Sequence, residues 1–79
     1  MRVIKEIQTP ACRISVFQWN GKYLIKLEQA GMEQTYKIDE WDLTDESEIE
    51  EIINEQFIKK TVERFKEMSK DLDEAMKNL

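Results

Sequence analysis

Two hydrophobic rhythms divide the chain. From Val3 to Ile38 many apolar side chains fall on alternate positions, whereas from Ile49 to Leu79 they recur every three or four residues. The first spacing is that of strands, whose successive side chains point to opposite faces, and the second is that of helix. The pattern predicts an α+β fold in one domain spanning residues 1–79. Residues 1–43 form a three- to four-stranded antiparallel meander, and residues 44–79 form a long C-terminal helix.

Asn20-Gly21 is the sharpest local signal, because a two-residue type I′ turn needs positive φ at both positions and this dipeptide tolerates it best. Pairing Trp19 with Lys22 sets Phe17 opposite Leu24, Val16 opposite Ile25, Ile14 opposite Leu27 and Arg13 opposite Glu28. Opposite charges at that last pair favour the register. A second turn at Ala30-Gly31 brings Ile25 against Tyr36 and Tyr23 against Ile38. Alternate residues share a face, so Cys12, Ile14, Val16, Tyr23, Ile25, Leu27, Tyr36 and Ile38 form the core face that the helix covers. Met1 to Ile7, in which Val3, Ile4 and Ile7 are β-prone and which Pro10 ends, reads as a further edge strand.

The other face carries Arg13, Ser15, Phe17, Trp19, Lys22, Leu24, Lys26, Thr35 and Lys37, mixing two aromatics with four cations. Three readings stay open. It is a solvated outer face whose apolar end, Phe17, Trp19 and Leu24, is covered by the first strand or by Trp41. It is a platform on which nucleotide bases stack over Phe17 and Trp19 while cations hold phosphates. Or it is a protein-contact patch.

The helical half carries the clearest clue about assembly. At about 100° per residue, Ile49, Ile52, Ile53 and Phe57 point one way, and Ile58, Val62, Phe65, Met68, Leu72, Met76 and Leu79 centre roughly 130° away. One small sheet does not cover both stripes, which calls for a bend near Asn54 to Phe57 or for a second chain on the later stripe. From Ile58 the spacing is heptad: Ile58, Phe65, Leu72 and Leu79 recur, with Thr61, Met68 and Ala75 three residues after the first three. An unbroken helix over this half is about 50 Å long and must overhang a domain this small. The expected contact of a homodimer is therefore Ile58, Val62, Phe65, Met68, Leu72 and Met76. At the start of the helix, Thr44 or Asp45 supplies a cap, and Asp45 with Glu48 has capping-box spacing. Glu55 with Lys59, and Asp73 with Lys77, have the i,i+4 order of supporting ion pairs.

Composition narrows the chemistry. With 79 residues, 41% hydrophobic and 37% charged, two Gly and one Pro, the chain is an ordered domain with a small core. Small cores usually need extra support. The lone Cys12 excludes an internal disulfide, and the absence of His with only one Cys leaves too few ligands for structural zinc. Association remains. The acidic run near residue 45 complements the positive end of a helix dipole and lacks the ligand order of a calcium loop. Neither a cofactor nor a metal is expected.

Residues 1–43 balance six basic against six acidic residues, so the helical half holds the whole net charge of −5. Long-range attraction to polyanions is disfavoured. No uninterrupted apolar run exists for a signal peptide or membrane span, and the expected location is the cytoplasm. General acid–base catalysis most often uses His, and Cys12 shares parity with core residues. The chain is read as a non-enzyme.

Two resemblances accompany this reading. Val3-Ile4-Lys5-Glu6-Ile7, Trp19-Asn20-Gly21-Lys22-Tyr23, Glu33-Gln34-Thr35-Tyr36-Lys37 and Arg64-Phe65 resemble a family of short uncharacterised bacterial proteins, which implies a sheet followed by a long helix and no particular function. Asn20 to Leu27 and Lys70 to Leu79 are similar to the hairpin and helix end of single-stranded-DNA-binding transcriptional coactivators. That resemblance implies a dimerising helix and a sheet whose basic and aromatic residues, with Lys22 and Lys26 as the nearest counterparts, contact single strands. The family's basic stretch before its last strand is replaced here by Ala30-Gly31-Met32-Glu33.

Overall fold

The computed structural model describes residues 1–79. Four antiparallel strands, β1 (Arg2–Gln8), β2 (Arg13–Trp19), β3 (Lys22–Gln29) and β4 (Met32–Asp39), lie in one sheet in the order β1-β2-β3-β4. A short 3-10 turn over Glu40–Asp42 leads to two helices, α1 (Glu48–Ile52) and α2 (Glu55–Met76). The predicted ββββα order is the observed one, and both predicted hairpin registers are present residue for residue.

The turns hold those registers. Asn20 and Gly21 have φ of 54° and 76°, and Ala30 and Gly31 have φ of 48° and 80°. Both are left-handed pairs, the I′ geometry that matches the twist of the strands. Ala30 carries a Cβ into this region without the side-chain amide that lets Asn tolerate it. Ala30→Asn is therefore expected to raise stability by about 0.5–1 kcal/mol, read from the urea midpoint. A midpoint that falls would show that Ala30 is not strained.

The core forms on the predicted face: Cys12, Ile14, Val16, Tyr23, Ile25 and Leu27 are buried, with Tyr36 and Ile38 packed beside them. A bulge between Val3 and Lys5 shifts β1, so that Val3 stands on the outer face opposite Phe17 while Ile7 faces Ile14 inside. The extra residue bends this edge strand. Lys5 pairs with Glu50 of α1, and that charge on β1 discourages edge-to-edge association.

The two stripes of the helical half have a local cause. The chain breaks at Ile53 and Asn54, where Asn54 accepts a hydrogen bond from the Phe57 N–H at 2.9 Å and donates one to the Glu51 carbonyl at 2.9 Å. One side chain thus closes α1 and caps α2. Each helix then turns its own stripe to the sheet: Ile49 and Ile53 are buried from the first, Thr61 and Phe65 from the second. Gln34 donates to the Thr61 carbonyl at 2.9 Å, and the rings of Tyr36 and Phe57 meet at 5.3 Å, which fixes α2 beneath β4.

α2 outruns the sheet. Its 22 residues span about 33 Å, every residue from Lys70 onward is exposed, and the molecule measures 47 × 25 × 19 Å.

Candidate interaction surfaces

Two surfaces contain the residues singled out by sequence. The first is the stripe of α2 expected to meet a second chain. Here the structure corrects the reading. Phe65 is fully buried among Ile14, Ile25 and Leu27 in the chain's own core, and Met68 packs against the same cluster. The bend supplies the rotation that otherwise demanded a partner. Thr61, read as part of the heptad seam, is also fully buried, with its hydroxyl donating to the Phe57 carbonyl at 2.9 Å. Ile58 and Val62 are half-buried, whereas Leu72 and Met76 are each 54% exposed. The predicted pairs Glu55–Lys59 and Asp73–Lys77 are not formed. No ion pair within 4 Å links any residues of α2. Pairs on a solvated helix are worth too little to fix two long side chains.

Beside Ile58 and Val62 lies a feature that sequence reasoning missed: a groove of about 500 Å³ between α2 and the loop Thr9-Pro10-Ala11, rimmed by Glu55, Lys59, Glu63 and Lys66. Its loop wall is firmly held. The Thr9 hydroxyl accepts from the Cys12 N–H at 2.9 Å and from the Ala11 N–H at 3.2 Å, and Gln29 donates to the Ala11 carbonyl at 2.6 Å. Such side-chain-to-backbone bonds set a loop's shape locally. No pattern within either segment reveals the groove, since its walls are some fifty residues apart in the chain.

The second surface is the outer sheet face. Arg13, Phe17, Trp19, Lys22, Lys26 and Lys37 do share it, as the registers require. Helices cover only the opposite face. Trp41, considered as a lid for the apolar end, is 94% exposed and covers nothing, and Trp19 is 51% exposed. Phe17 and Leu24 are half-buried by their neighbours in the sheet.

The cations of this face are mostly neutralised. Lys22 meets Asp39 at 2.6 Å, and Lys26 stands 3.9 Å from both Glu28 and Glu33. Arg13 lies across from Glu28 in register, yet its ion pair is with Glu6 on β1 at 3.2 Å. Only Lys37 of the four lacks a carboxylate within 4 Å. Of the fold's main polar clusters, that leaves the hairpin end of the core, where Arg2 binds Gln18 at 2.9 Å and Glu46 at 2.6 Å, and Gln18 reaches Glu40. Burial, then the nearby Glu46 and Glu40, hold the Tyr23 hydroxyl above its usual pKa.

The capping box at α1 is half-built. The Glu48 carboxylate accepts from the Thr44 hydroxyl and from the Thr44 and Asp45 N–H groups, while Asp45 accepts from the Ser47 hydroxyl instead of capping Glu48. These bonds pull both acids below the usual carboxylate range, Glu48 chiefly through Thr44 and Asp45 chiefly through Ser47. The acidic run is thus tied into the helix start. Cys12 is 4% exposed and shielded by Thr9. No helix is long and apolar enough to cross a membrane.

No known protein family, curated protein or solved structure matches this chain.

Proposed function

We propose that the chain is a non-catalytic cytoplasmic interaction domain that works as a homodimer joined through α2. One observation carries this reading: α2 projects beyond its own sheet and keeps Leu72 and Met76 half-exposed on the line that continues Ile58 and Val62. Isolated helices have little stability in water without a packed apolar face, and the projecting part has no such packing within the chain. The lack of His and the burial of Cys12 favour a binding role over a catalytic one. Light scattering at tens of micromolar is expected to give twice the chain's 9.5 kDa. A mass of one chain would overturn the reading.

A second reading, a single-stranded nucleic-acid-binding regulator of the coactivator type, is favoured by the uncovered outer face with its exposed Trp19. Three of the four cations there already hold carboxylates. Phosphate-driven affinity is strongest at low salt, and the expected outcome is no binding of a labelled single-stranded oligonucleotide even there. Tight binding that weakens steeply with added salt would reverse the ranking of the two readings.

A further inference from the structure

We propose that the second copy docks antiparallel along α2, its projecting helix end filling the groove beside Pro10. This rests on the dimer reading and adds an orientation and a register. With Thr61 turned into the core, the positions that alternate with Ile58, Phe65 and Leu72 on the open side are Val62, Ser69 and Met76. Ile58, Val62, Phe65, Ser69, Leu72 and Met76 follow each other at intervals of four and three, the spacing of a coiled-coil seam. Run antiparallel, this series is self-complementary. Ile58 meets the partner's Met76, Val62 meets the partner's Leu72, and Ser69, the one polar member, falls beside Phe65, whose ring is already committed to its own core.

The groove gives the exposed Leu72 and Met76 a seat that is mostly apolar at its floor and charged at its rim. Loop Thr9 to Ala11 is held in place by its own hydrogen bonds, so this wall is preformed.

Charge selects the same register. In an antiparallel pair each flank faces its own counterpart, and on the groove side that flank carries Lys59, Lys66 and Asp73. The seam register places Lys59 opposite the partner's Asp73, and two-fold symmetry makes that pair twice. Both side chains are free of ion pairs within the chain. Lys66 meets the partner's Lys66 on the axis, the single like-charge contact, with Glu63 one turn away. A parallel arrangement brings none of the complementary pairs together.

Charge reversal tests the register directly. Lys59 and Asp73 are both exposed and about 21 Å apart on their own helix, well beyond screening distance at physiological salt. Any coupling between them must cross between chains. Lys59→Asp and Asp73→Lys are each expected to weaken the dimer about tenfold, by turning two attractions into two repulsions, and the double variant to return to within about threefold of the parent. Sedimentation equilibrium reads the constants, and circular dichroism at low concentration checks that the fold is retained. A dimer whose single variants bind like the parent, or whose double variant shows no recovery, overturns the antiparallel register while leaving the dimer standing. A parent chain that stays monomeric overturns both.

Discussion

Truncating Phe65 to alanine is expected to lower stability by about 3–5 kcal/mol, the largest effect of any single side-chain truncation in this chain. The ring is fully buried and is the large side chain that α2 contributes to the core cluster of the sheet. A small domain has about 0.05–0.15 kcal/mol of stability per residue, so the loss consumes much of the total. The thermal midpoint should fall by roughly 4–8 °C for each kcal/mol lost. The effect should also be the same at low and high protein concentration, because the cavity opens inside one chain. A loss that grows on dilution would place Phe65 between chains, as its heptad position alone implies. A loss below about 1 kcal/mol would mean that the ring is not packed as described.

Phe65 also marks where sequence periodicity stops being informative. A helix pattern reports which residues share a side, and it does not report what covers that side. Ile58, Phe65 and Leu72 share one side and have three fates: half-buried beside a groove, sealed in the core, and exposed past the end of the sheet. What separates them is the length of the sheet above the helix. That length is set by strands far away in the chain.

The sheet was legible for the opposite reason. A two-residue I′ turn fixes pairing at once, so Asn20-Gly21 determines every partner from Trp19–Lys22 to Arg13–Glu28. The core face followed from parity alone. Asn54 was harder to read, since Asn is only a moderate helix breaker and its function as closing residue for α1 and cap for α2 depends on the conformation it helps to create. Ion pairs were the least legible. Arg13 has carboxylates on both neighbouring strands, and cross-strand register names Glu28 while diagonal reach delivers Glu6. The groove was invisible because it exists only once loop Thr9 to Ala11 and α2 are brought side by side.

Leu72→Glu is the second large effect, and it should separate assembly from folding. Leu72 lies beyond the sheet and is already 54% exposed, so the variant should keep the parent's spectrum and, in dilute solution, its thermal midpoint. The proposed dimer should be lost. Full burial of a leucine is worth about 1.5–3 kcal/mol; covering the exposed half of Leu72 is worth about half of that, and a symmetric interface loses it twice, roughly fifteen- to two-hundredfold in affinity before the charge is counted. Light scattering at a concentration where the parent is dimeric should then report 9.5 kDa. If the glutamate variant still runs as a dimer, the contact lies elsewhere on the molecule and the projecting end of α2 is only a solvated tail. If it unfolds outright, Leu72 contributes to the chain's own core in a way its exposure denies. Phe65→Ala and Leu72→Glu sit seven residues apart on one helix side, and opposite outcomes for them, unfolding without concentration dependence against dissociation without unfolding, are what a helix divided between its own sheet and a second copy requires.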